Sequence, residues 1–341
     1  MRTRWFLVLA PVLLSLGADW PQFLGPNRSG VSPETRLLST WPAAGPQLVW
    51  TVDNAGTGYA GMAVVDGNVY TMGAREDTEY VLAYDRTGKE LWATKIGPLF
   101  DFESNQWSRG PNATPTVDGN LLYGLGSQGI LVCVDRSKGE IVWQKDMRSQ
   151  LAGEVNPVGG GIKKMGWGYS WSPLVDGDQL ICVPGGSQGM LAALNKKTGK
   201  VLWQSKDVIY QATYASPIVA EVAGVRQYIQ MTQTGAVGVE AKTGKLLWEH
   251  KREVPYPDVV CVSPICSGDK VFITAWKGGC ELLQLTPVDG KWTVNVVYQQ
   301  REVSNAHGGV VKVGKYVYGY HLETGGWICQ EFDTGMIAWT T

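Results

Sequence analysis

Apolar residues along this chain come in short alternating runs joined by polar, glycine-bearing turns, as in Ser172-Pro-Leu-Val-Asp-Gly-Asp-Gln-Leu-Ile-Cys182. A period of two bounded by turn residues predicts β-hairpins. Sister copies lie at 63–72, 114–123, 263–273 and 309–318, and 216–231 is the same hairpin with a longer turn at 221–224. Downstream of each lies a second hairpin that ends on an aromatic residue. Its members are Trp92, Trp143, Trp203, Trp248, Tyr298 and Trp339, and Trp50 precedes the first hairpin. The successive intervals are 42, 51, 60, 45, 50 and 41 residues, a spacing suited to four short strands with their turns.

Gly88, Gly139, Gly199, Gly244 and Gly335 each stand four positions before their tryptophan, and Asp85, Asp135, Asn195, Glu240 and Glu331 stand three or four before the glycine. Each such segment reads as strand, polar turn with glycine at positive φ, strand. Two hairpins per repeat and no helical periodicity predict an all-β chain, a β-propeller of six four-stranded blades. A blade cannot bury both faces alone. An aromatic ring removing ~150–250 Å² from water contributes roughly 4–6 kcal/mol as an upper figure. Trp50, Trp92, Trp143, Trp203, Trp248, Tyr298 and Trp339 are therefore read as residues that dock blade on blade.

The chain has 341 residues, 44% of them apolar, and a formal charge of −1, which gives ample core and no electrostatic preference for nucleic acid or an anionic membrane. Residues 1–18 carry a basic start, an apolar run from Trp5 to Leu14 and small residues at Gly17 and Ala18, the plan of a cleaved signal peptide. The apolar run falls short of the ~20 residues that span a bilayer, so no membrane span is expected after cleavage. The expected organisation is a signal peptide at 1–18, an N-terminal extension at 19–45 and the propeller at 46–341, exported to the periplasm or the medium. The six cysteines sit mostly one to a strand and are expected as buried thiols.

The segments around Trp92, Trp143, Trp203, Trp248 and Trp339 resemble the repeats of the pyrroloquinoline quinone (PQQ)-like β-propellers. The opening Asp19-Trp-Pro-Gln-Phe-Leu-Gly-Pro-Asn-Arg-Ser-Gly-Val-Ser-Pro33 is similar to the start of exported PQQ-like propellers of planctomycetes. The resemblance implies eight blades with an N-terminal strand completing the last. Gln47-Leu-Val-Trp50 reads as such an outermost strand, whereas only six units are present, so the chain is expected to be truncated from an eight-bladed ring and to expose an apolar edge.

The resemblance also implies two functions. One is a protein- or ligand-binding scaffold, as in the outer-membrane protein assembly factor. The other is a quinoprotein dehydrogenase holding PQQ with calcium and oxidising an alcohol or sugar. The adjacent cysteine pair of the quinoprotein alcohol dehydrogenases has no counterpart in this chain, nor does a calcium-ligand pattern or a motif carrying their catalytic aspartate. The expectation is therefore a non-catalytic scaffold whose partner is a protein or a small ligand, with the PQQ- and calcium-holding dehydrogenase as the alternative.

In propellers the loops leading into the innermost strands gather on one face. Here those loops bring Arg109, Asn112, Trp167, Tyr169, Tyr214, Asn305 and His307 as candidate ligand-binding residues, able to stack on a flat group or to bond an anion. The same residues would equally serve to fill the channel mouth and satisfy strand-end backbone groups. The connection 144–166 is the longest and is expected as a flap over this face. Gly124-Leu-Gly-Ser-Gln-Gly129 matches a dinucleotide fingerprint but joins two strands of one blade, and it is read as a turn.

Overall fold

The computed structural model describes residues 19–100, 109–158, 165–254 and 258–341. Six antiparallel four-stranded sheets follow one another along the chain, each ordered as a simple meander. They form blade 1 (63–98), blade 2 (116–146), blade 3 (174–204), blade 4 (218–251), blade 5 (265–300) and blade 6 (311–340). The signal peptide expected at 1–18 lies outside the described residues. No helix among the described residues is long and apolar enough to cross a membrane.

Turn chemistry sets the inner hairpins. Asp66 and Gly67 take φ of 55° and 77°, which closes the first in two residues with the twist the strands need. The turn in blade 4 is not longer, as expected from sequence, but equally tight. Ala223 and Gly224 take φ of 49° and 75°, and the extra residues lengthen the strands Ile218–Val222 and Val225–Thr232 instead. In the outer hairpins an acceptor side chain ties the turn: Asp85 Oδ1 accepts from the backbone N–H groups of Thr87 at 2.8 Å and Lys89 at 3.1 Å.

The repeated glycine and tryptophan turn out to serve two different interfaces. The indole of Trp50 lies on Gly88 of blade 1, Trp92 on Gly139 of blade 2 and Trp143 on Gly199 of blade 3, so each ring meets the glycine of the following repeat. A Cβ at Gly139 would stand 2.7 Å from Trp92 Cδ2, which is why the position is bare. The indole N–H of each ring also donates across: Trp50 to Arg86 O at 2.9 Å, Trp92 to Arg136 O at 3.0 Å and Trp143 to Lys196 O at 2.9 Å. Tyr298 repeats the arrangement over Gly335, donating to Phe332 O at 2.8 Å. Trp248 departs from it. Its N–H goes to Gln227 Oε1 at 2.5 Å, and its ring joins the apolar cluster of blades 4 and 5 with Leu283 and Trp292.

Every outermost strand carries a one-residue bulge just before its aromatic residue. Ala83 pairs Trp92 while Tyr84 pairs Glu90, leaving Leu91 unmatched, and Val142, Leu202, Leu247, Val297 and Ala338 stand at the same point of the other blades. A bulge bends and re-aims the strand locally. Gln47-Leu-Val-Trp50, expected as an outermost strand, is not one: Trp50 is seated on blade 1, but Leu48 and Val49 are exposed and no ladder runs alongside them among the described residues.

A relay of hydroxyls at corresponding positions links the innermost strands. Thr114 N donates to Ser172 Oγ at 3.0 Å, Ser172 N to Ser216 Oγ at 2.9 Å, and Ser263 Oγ to Ser216 O at 2.9 Å. Of residues 19–45, set apart as an extension in the sequence, 19–30 run against this inner wall and 31–44 are exposed. Trp20 bridges Val64, Val117 N donates to Pro21 O at 2.8 Å, and Arg28 Nη1 reaches Pro173 O at 3.0 Å. All six cysteines are free thiols, and burial pushes Cys133, Cys182, Cys261 and Cys280 up to about 12.

Candidate functional site

The connections into blades 3 and 4 bring three of the seven candidate residues together. Trp167 and Tyr214 meet edge to face with ring centroids 5.5 Å apart, and Trp167 N donates to Tyr214 Oη at 3.2 Å. Asn112 Nδ2, from the preceding connection, donates to Trp167 O at 3.4 Å. Glycine permits the approach, since Gly166 takes φ of 52° beside the Tyr214 hydroxyl. Tyr169 lies beneath, fully buried, with its hydroxyl donating to Pro184 O at 2.9 Å.

Asn305 and His307 belong to the connection into blade 6. Arg109 and His307 are exposed. Asn305 is buried, its Nδ2 donating to Tyr320 O at 3.0 Å while its Oδ1 has no hydrogen-bond partner. Of the other histidines, His321 accepts from Thr324 N at 3.1 Å. His250 Nε2 lies 2.6 Å from the buried Glu281 across the interface of blades 4 and 5.

The expected flap is largely packed down. Asp146 caps a one-turn helix, Met147–Gln150, and Val155 then pairs in parallel with Ala212. Asn156 Nδ2 donates to Ala212 O at 2.8 Å, and Tyr214 Oη bonds Val158 O. Residues 159–164 lie outside the described residues. Gly124–Gly129 is a strand end and turn between Leu121–Leu125 and Ile130–Asp135, with no helix to receive a pyrophosphate.

Chemically, the face presents aromatic edges, amides and hydroxyls. Burial raises the Tyr169 and Tyr214 hydroxyls above the ordinary phenol range, and both are spent on backbone carbonyls. Neither is placed to take a substrate proton near neutral pH. A calcium-bound quinone would need a set of carboxylate and amide oxygens around one point. Among the described residues no group of three or more His, Cys, Asp or Glu comes together, and the cysteines lie singly. Among the described residues no such carboxylate cluster is assembled.

Sequence reasoning missed a second concavity, on the channel axis. A cavity of about 460 Å³ lies between the innermost strands of blades 3 to 6 and the segment 22–29, and Arg28, Asp176, Arg226, Ser263 and Lys312 are among its walls. The only local signal for it was the recurrent Ser/Thr-Pro at Thr114, Ser172, Ser216 and Ser263, which marks where each innermost strand begins.

The sequence pattern that defines the family described as outer membrane protein assembly factor BamB matches residues 77–341. A protein of that name from Shewanella oneidensis is 24% identical over 230 residues, 67% of this chain and 52% of the relative. The quinoprotein alcohol dehydrogenase PedH of Pseudomonas putida is 26% identical over 174 residues, 47% of this chain and 25% of the relative. The chain thus spans about half the length of the assembly-factor relatives it matches. Among solved structures, a europium-containing methanol dehydrogenase superposes with a TM-score of 0.54 at 15% identity, over 82% of this chain and 68% of that one. At that identity the likeness is one of fold.

Proposed function

The chain belongs to the family of the outer membrane protein assembly factor BamB, and from that premise we propose that it is an exported, non-catalytic PQQ-like β-propeller that serves as a binding scaffold for a protein partner or ligand on its loop face. The observation that carries this reading is the commitment of the loop-face polar groups to structure. The Tyr169 and Tyr214 hydroxyls and the Asn112 amide are bonded to backbone carbonyls. Shape, aromatic edges and the exposed His307 remain on this face for contact with a partner. Residues 1–18 are assigned to a signal peptide, 19–45 to a lead-in segment and 46–341 to the propeller. The aromatic contacts onto Gly88, Gly139, Gly199, Gly244 and Gly335 are assigned to blade docking.

The match to a quinoprotein alcohol dehydrogenase keeps a PQQ-dependent dehydrogenase as the second reading. It is the weaker because the donor set for calcium is not assembled among the described residues. A photo-crosslinking side chain at His307 on the loop face, compared with one at Gly224 on the opposite face, tests the scaffold reading in the native host. The expected result is a discrete crosslinked partner from position 307 alone. Equal crosslinking from the two faces, or none from position 307, would count against it.

A further inference from the structure

We propose that the axial cavity is a binding site for a small organic oxyanion, a carboxylate or a phosphate ester, with Arg28 as its principal anchor. The first argument is charge. Three cations and one carboxylate stand among the lining residues, and that carboxylate, Asp176, is already spent. Arg226 holds it through Nε at 2.9 Å and Nη2 at 2.5 Å, and the Tyr228 hydroxyl donates to it at 2.8 Å. Arg28 is left with only neutral acceptors, and Lys312, at the cavity wall, donates to Gly314 O at 2.8 Å and lies over the Phe332 ring.

The second argument is the state of Arg28 itself. It is 9% exposed, and its bonds go from Nη1 to Gln22 Oε1 at 3.2 Å and Pro173 O at 3.0 Å, and from Nη2 to Ser172 O at 3.2 Å. Burying a cation without a counter-charge is costly, and an arginine cannot escape the cost by losing its proton at neutral pH. Desolvation lowers it to about 9, still well above neutrality. The residue also holds a left-handed backbone, φ 50°, that side chains rarely adopt. An entering anion would supply the missing charge.

The third argument is fit. A guanidinium offers a planar fork that matches carboxylate and phosphate oxygens. About 460 Å³ falls in the range of small-molecule sites, ~300–1,000 Å³. The Ser263 hydroxyl and the apolar side chains of Ile218 and Ile265 line the same space, suited to a short carbon skeleton behind the charged group. None of these residues belongs to the Trp167–Tyr214 cluster, so this site stands or falls apart from the loop-face reading.

The test is calorimetric titration of the full-length protein with inorganic phosphate, glycerol 3-phosphate, acetate and succinate, each at an ionic strength held constant with sodium chloride. Saturable binding of at least one anion is expected, and the tighter class identifies the ligand chemistry. Arg28→Gln should weaken it about tenfold or more, and Lys312→Gln severalfold, as expected for charge-assisted bonds. No saturable heat for any anion, or affinity unchanged in Arg28→Gln, overturns the proposal. Should Arg28→Gln fail to fold, Lys312→Gln decides alone, and an unchanged affinity there overturns it.

Discussion

Glu79 is a carboxylic acid almost wholly removed from water, 1% exposed at the junction of blades 1 and 2. Its two oxygens accept from Phe100 N at 3.2 Å and Ser127 N at 3.0 Å. Burial raises its pKa from the ordinary 4.5 to about 7, and the two N–H donors oppose the rise without cancelling it. With the folded pKa above the unfolded one, the folded state holds the extra proton between those values. Stability from this group is therefore complete below about pH 4.5, falls as pH rises toward 7 and is level beyond, a total of about 3 kcal/mol. Glu79→Gln removes the titration. Denaturant unfolding at several pH values should show the wild type losing about 3 kcal/mol relative to this variant between pH 4.5 and 7.5. A difference independent of pH would mean that the N–H donors, not burial, set the ionisation. Nothing in Thr78-Glu79-Tyr80 announces this burial in the sequence, because it is produced by loops from the neighbouring blade.

Single elements were the best-read part of the chain. Hairpins, turns and the count of six sheets follow from alternation and glycine placement, which are local properties. What was not legible is which ring meets which glycine, since the contact spans the next repeat, and the path of Trp20 to Gly30, since Arg28 finds its acceptors 144 and 145 residues away. The candidate site was half legible for the same reason: Asn112, Trp167 and Tyr214 lead into successive blades and converge, whereas Asn305 and His307 lie in the connection into blade 6, where Asn305 bonds Tyr320 O. The ring-on-glycine contact makes two measurable claims. Trp203→Ala should cost roughly 3–5 kcal/mol, and a loss below about 1 kcal/mol would contradict its docking role. Gly199→Ala should cost about 2 kcal/mol or more, combining left-handed backbone at φ 68° with a Cβ 2.8 Å from Trp143 Cδ2. Gly177→Ala, at φ 58° with nothing within 4 Å, isolates the backbone part and should cost about 1 kcal/mol.

Across the whole molecule, apolar exposure is concentrated at blade 6 and on the segment before blade 1. Trp327, Trp339 and Met336 are 56%, 46% and 63% exposed, and Leu48 and Val49 are 77% and 82% exposed. Soluble monomers seldom leave such patches uncovered. Sedimentation velocity should show concentration-dependent self-association that Trp327→Ser with Trp339→Ser reduces, while thermal stability changes little because neither ring is buried. Unchanged association would place the contact elsewhere. The central claim, that the propeller scaffolds a partner and does not hold a quinone, is tested most directly by titrating PQQ with calcium into the folded protein and following tryptophan fluorescence. The expected result is no saturable quenching at micromolar cofactor. Saturable quenching that depends on calcium would contradict the account and make the chain a quinoprotein.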